Sequence, residues 1–103
     1  MKLRELAHSR TGDKGDTSNI SVIAYRPGDY ARLCEQVTAE CVQQHLRSLL
    51  PTAQGVVVRR YELPGVHALN FVIPGILKGG VTRSLALDAH GKTLGSALLD
   101  MEI

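Results

Sequence analysis

Two β-rich segments of this chain end on the same dipeptide, and a long helical stripe lies between them. Ile20 to Tyr25 runs into Pro27-Gly28, and Val56 to Leu63 runs into Pro64-Gly65. Proline lacks a ladder donor and glycine leaves the extended region at little steric cost, so each pair closes a strand. Between them Leu33, Val37, Cys41, Val42, Leu46, Leu49 and Leu50 recur at helical spacing. Asp29 stands where an N-cap belongs and Pro51 where a helix stops. The adjacent β-branched pair Val37 and Thr38 interrupts the stripe, with Thr38 available to cap a second segment. Gly79-Gly80 releases the chain into a further strand over Val81 to Leu87, and Asp88 to Gly91 reads as a turn. Leu94, Ala97, Leu98 and Met101 predict a C-terminal helix, with a returning hairpin strand as the alternative. His67 to Leu77 is ambiguous. Leu69, Val72, Ile73, Ile76 and Leu77 form a helical stripe that Pro74-Gly75 interrupts, so a short helix or helical turn is expected. Lys2 to Ser9 suits a first strand, whereas Thr11 to Asn19 holds no apolar residue and reads as a loop.

Strands and helices interleaved in one small unit imply an α+β sandwich, a mainly antiparallel sheet with helices on one face. The ferredoxin-like arrangement is the compact solution expected. At 103 residues the chain suits a single domain over 1–103. A net charge of +2 and 4% aromatic residues, with no Trp, offer neither the electrostatic footprint nor the stacking platforms of nucleic-acid binding. No apolar run approaches the ~20 residues of a membrane span, and the start, with Glu5, lacks the apolar core of a signal peptide. A cytoplasmic protein without nucleic-acid or membrane partners is expected. On one continuous helix the Cα atoms of Cys34 and Cys41 would be about 10 Å apart, too far for a disulfide, which needs less than ~7 Å. They are expected as buried thiols on one helix face.

Two clusters have the residue types for chemistry. In the first, His8 to Asn19, glycines flank Asp13-Lys14, so successive N–H groups of a loop could converge on an anion, helped by Arg10 and Lys14. The spacing is not that of a phosphate-binding loop, and Asp13, Asp16 and Asn19 do not have EF-hand spacing. The preferred alternative is a tight structural loop whose Asp and Ser side chains bond the local backbone. In the second, Asn70 sits among apolar residues and Arg83 lies in an apolar strand. A buried amide needs partners, and a guanidinium suits a carboxylate or phosphate. Backbone satisfaction for Asn70 and a salt bridge from Arg83 or Arg10 to Asp13 or Asp16 are the structural alternatives. The ligand-binding candidates are Arg10, Gly12, Asp13, Lys14, Gly15, Asp16, Asn19, Asn70 and Arg83, with His8 and His67 as secondary ones. His45 and His90 look exposed and incidental. No metal site is expected, because no tight ligand spacing is present, and no Gly-x-Ser-x-Gly signals a serine nucleophile.

The stretches from His8 to Asp16 with Asn19, Tyr61 to Pro64, His67 to Phe71, Gly79 to Leu85 and Asp88 to Lys92 resemble the AtuA-like ferredoxin-fold domain. That is the C-terminal domain of acyclic terpene utilisation proteins. The resemblance covers nearly the whole chain and keeps motif order. It implies a ferredoxin-like fold and a bacterial setting of acyl-CoA or terpenoid catabolism, and it names no catalytic residue and no cofactor. Longer members carry a large domain ahead of this one, so the resemblance suggests a stand-alone version. The expected role is an accessory or binding subunit whose site is completed by a separately encoded large-domain partner or by another copy of itself, most simply a dimer, with a small anionic ligand. The alternative is a self-contained small enzyme acting on an acyl-CoA or carboxylate intermediate, with His8, Asp13, Lys14, His67 or Arg83 in acid/base or anion-binding roles.

Overall fold

The computed structural model describes residues 1–14, 17–49, 57–74 and 94–103. Strand β1 (Ala7–Lys14) pairs antiparallel with β2 (Thr17–Ala24), from Ala7 opposite Ala24 to Lys14 opposite Thr17. Helices α1 (Tyr30–Gln36) and α2 (Ala39–Leu49) follow, then β3 (Arg59–Leu63), β4 (Ala68–Ile73) and the short helix α3 (Leu94–Leu98). Among the described residues the sheet has four strands in the order β1-β2-β4-β3, and every neighbouring pair is antiparallel.

Alternation decides which face is buried. In β2 Ser18, Ile20, Val22 and Ala24 are buried, while Thr17, Asn19, Ser21 and Ile23 are half-buried. In β4 Leu69, Phe71 and Ile73 point the same way as Ile20 and Val22. These side chains form one core with Leu33, Val37, Val42, Leu46 and Leu98, so the helices lie on one face of the sheet. Each fully buried aliphatic or aromatic side chain contributes about 1.5–3 kcal/mol. The architecture is the α+β ferredoxin-like sandwich.

Its chain order is rotated. Starting at β2, the described elements read strand, helices, strand, strand, helix, which is the split β-α-β order. The edge place beside β2, which a final strand would fill, is taken by β1 from the front of the chain. Backbone bonds join the two ends. Leu3 N–H donates to Met101 O at 2.9 Å, and Ile103 N–H donates to Met1 O at 2.9 Å. A bridge between Lys2 and Glu102 lies between them. The N-terminal ammonium adds an ion pair to Glu102 at 3.4 Å.

The helical stripe breaks where expected. Val37 closes α1 with φ −100° and ψ 76°. Thr38 then caps α2, its Oγ1 accepting from Cys41 N–H at 3.2 Å. Asp29 holds the N-cap position of α1 but makes no side-chain cap bond; a 3₁₀ turn over Pro27–Asp29 leads into the helix instead. The two thiols are therefore not on one continuous helix, and neither is buried: Cys34 is half-buried on α1 and Cys41 exposed on α2.

Three expectations are corrected. Thr11 to Asn19 is not a loop: β1 continues through Lys14 and β2 starts at Thr17, leaving two residues to connect them. The first strand is accordingly Ala7–Lys14, and Leu3–Glu5 is a 3₁₀ turn. His67 to Leu77 does not begin as a helix. Ala68–Ile73 is a strand hydrogen-bonded on both sides, so sheet pairing overrides the helical spacing. The C-terminal segment is helical, as the first alternative had it, but spans only Leu94–Leu98. The expected strand Val81 to Leu87, the glycine pair before it and the turn at Asp88 to Gly91 lie outside the described residues.

Candidate functional site

With the helices on one face, the other face of the sheet carries residues of the opposite parity. Register places them in three rows that cross all four strands. Arg10, Ser21, Asn70 and Tyr61 stand in one row; Gly12, Asn19, Val72 and Arg59 in the next; His8, Ile23, Ala68 and Leu63 on the other side. At about 4.8 Å per strand, a row runs about 14 Å from β1 to β3. Along these rows His8, Arg10, Arg59, Tyr61 and Leu63 are exposed at the two edges, while Ala68 is buried and Asn19, Ser21, Ile23, Asn70 and Val72 are half-buried at the centre.

The middle row is joined at its centre. Ser21 Oγ donates to Asn70 Oδ1 at 3.3 Å. Asn70 is half-buried and thereby partnered, while Arg10 at one end and Tyr61 at the other are exposed. Among the described residues Arg10 forms no ion pair. In the adjacent row the Asn19 amide lies over Gly12: a Cβ at Gly12 would stand 3.2 Å from Asn19 Nδ2 and 3.3 Å from its Oδ1. The Gly12 carbonyl accepts from the buried Ser18 hydroxyl at 3.3 Å on the core side. Gly12 therefore serves as a flat position in a ladder, and its backbone is committed to pairing rather than free to converge on an anion.

Of the candidates, Arg10, Gly12, Asn19 and Asn70 thus share one face, and His8 joins them with its ring 5.2 Å from that of Tyr25. Asp13 and Lys14 are the last residues of β1. Gly15, Asp16 and Arg83 lie outside the described residues, as does the expected pairing of Arg83 with Asp16. His67 stands apart. It is left-handed, with φ 55°, and its ring meets Tyr30 of α1 edge-on at 6.0 Å, on the helix side. Ser21 and Tyr61 were not singled out for chemistry. For Ser21 the signal was the alternation Asn19-Ile20-Ser21-Val22, which places two polar side chains on one face once β2 is recognised as starting at Thr17, whereas Tyr61 joins them only through the pairing of β3 with β4.

On the helix side other polar groups hold elements together. Arg60 Nη1 donates to the carbonyls of Cys34 at 2.6 Å and Val37 at 3.1 Å, closing the C-terminus of α1, and Nη2 pairs with Glu62 at 3.3 Å. A cation at a helix C-terminus also complements its dipole. His45 is not incidental: its Nε2 lies 2.9 Å from Ala97 O. A carbonyl can only accept, so Nε2 carries the proton and ties α2 to α3. The Tyr30 hydroxyl is shielded and lacks a hydrogen-bond partner. Loss of water, foremost, and the neighbouring Cys34 and Glu62 push its pKa above the ordinary tyrosine value.

Chemically, the open face combines two guanidinium groups, an imidazole, two amides, a hydroxyl and a phenol with exposed apolar groups. Such groups have the chemistry to pair with a carboxylate or phosphate, or with another surface. The middle row holds no nucleophile set against a base, since the Ser21 hydroxyl is spent on an amide. Among the described residues no three His, Cys, Asp or Glu side chains gather to hold a metal, and no helix is long and apolar enough to cross a membrane. The family model described as the AtuA ferredoxin-like domain matches residues 1–103, the whole chain. No curated protein and no solved structure matches significantly.

Proposed function

The chain belongs to the AtuA ferredoxin-like domain family, and on that footing we propose that it is an accessory or binding subunit in acyl-CoA, terpenoid or related carboxylate catabolism. It works with a large AtuA-type partner and offers the open face of its sheet to a shared site. The observation that carries this is the row Arg10–Ser21–Asn70–Tyr61, polar, cross-strand and exposed at both ends. A rigid sheet holds such groups at fixed spacing without flexible loops, which is what a recognition surface requires. Arg10 supplies the charge for an anionic group, and the amides of Asn19 and Asn70 supply neutral donors and acceptors.

The test has two arms. The purified chain is mixed with the large AtuA-type protein of the same genome and followed by size-exclusion chromatography with light scattering; a stable complex is expected. Calorimetry against coenzyme A, acyl-CoA thioesters, phosphate and small dicarboxylates then asks for anion binding, which Arg10→Ala should weaken. Turnover of an acyl-CoA by the pure chain, lost on changing His8 or Arg10, would replace the accessory role with that of a small enzyme.

A further inference from the structure

We propose that the open face of the sheet docks an acidic protein surface, with the partner's apolar groups against β3 and its carboxylates against Arg10 and Arg59. This rests on the accessory-subunit reading and adds which face is used and what chemistry it accepts.

Charge is the first argument. The three rows place Arg10, Arg59 and His8 on this face and, among the described residues, no carboxylate. Arg10 and Arg59 sit at opposite edges, on β1 and β3, so the positive charge spans the sheet. Their natural complement is a surface with carboxylates at comparable spacing.

Exposed apolar groups are the second. On β3 Tyr61 is 49% exposed and Leu63 42%, and Val57, just ahead of the strand, is 58% exposed. Val66, in the turn that follows, is 62% exposed. A small anion would engage Arg10 and the amides but leave this edge in water. A protein surface covers both, and Arg and Tyr are residue types enriched where proteins meet.

Repulsion argues against the simplest alternative, a second copy of this chain. A two-fold contact through the open face would set one basic face on an identical one, and the described residues offer no carboxylate there to neutralise it. A homodimer through this face is therefore disfavoured.

The experiment uses the full chain and the purified large AtuA-type protein of the same genome. Affinity is measured for the wild type, Arg10→Glu, Arg59→Glu and Tyr61→Ala, with Arg32→Glu on the exposed side of α1 as control. Circular dichroism checks that each variant keeps its fold. Each open-face variant is expected to weaken binding about tenfold or more. Arg32→Glu should bind as the wild type, and the wild-type affinity should fall as salt rises. A complex that forms equally well with all variants would sink the docking face and leave the accessory role standing. Absence of any complex at tens of micromolar would remove both. Self-association of the wild type abolished by Arg10→Glu, or an oligouridylate bound through the same residues while the protein complex is unaffected, would assign the face to a different occupant and overturn the proposal.

Discussion

At Gly95 the absence of a side chain lets α3 rest on β1. A Cβ there would stand 2.4 Å from Thr11 Oγ1 and 2.8 Å from Ser9 Oγ, and the Gly95 N–H donates to that Thr11 hydroxyl at 3.0 Å. Gly95→Ala must displace the Thr11 and Ser9 hydroxyls or the helix itself and so disturb the bond to Thr11, with a loss of about 1–3 kcal/mol expected in urea unfolding. Tyr30 has the opposite character. Its shielded hydroxyl has no well-formed hydrogen bond, only weak interactions with Cys34 and the Leu63 backbone, so Tyr30→Phe should change stability little. The pH dependence follows from the same group. Its pKa lies above the ordinary 10.0, so the folded chain holds the phenolic proton more tightly than the unfolded chain does. The contribution of Tyr30 to stability is therefore full below pH 10 and declines as pH rises through and beyond that value. Urea midpoints between pH 8 and 11 should show a shallower decline in Tyr30→Phe than in the wild type.

Individual elements were legible to different degrees, for reasons that trace to particular residues. The α1–α2 break could be read because Val37 and Thr38 act locally, one by its β-branch and the other by its hydroxyl. Thr38→Ala should cost about 0.5–2 kcal/mol in chemical denaturation through the lost cap to Cys41 N–H. Strand β4 was not legible, because Leu69, Val72 and Ile73 satisfy a helical period as well as they satisfy a strand. What settles them is pairing to β2 and β3, a long-range effect that local spacing does not encode. The polar end of the β1–β2 hairpin failed for the same reason: Thr11 to Lys14 and Thr17 to Asn19 carry loop-forming side chains, yet their backbones are paired. Arg10, Gly12 and Asn19 stand out in the sequence as parts of a glycine- and charge-rich stretch, and Asn70 as an amide among apolar residues. Their common location waited on register. Arg60 was missed because its role is to close a helix remote in sequence, and Arg60→Met should lower stability by about 1–3 kcal/mol through two abandoned carbonyl bonds.

On the scale of the whole molecule, the sheet is a ferredoxin-like arrangement whose chain starts at the edge strand and whose ends meet. Because Lys14 and Thr17 are paired neighbours, a variant opened between them, with Ile103 joined to Met1 through a short glycine linker, should keep the same sheet. Its amide NMR spectrum should match that of the wild type away from the two altered sites. The same seam has a kinetic consequence. Leu3 N–H bonds to Met101 O and Ile103 N–H to Met1 O, so these contacts close over nearly all the residues between them, whereas β1 and β2 pair across two residues. Closing a longer loop costs more entropy before any contact rewards it. In refolding followed by pulsed hydrogen exchange, amides of the hairpin are therefore expected to gain protection before those of the seam.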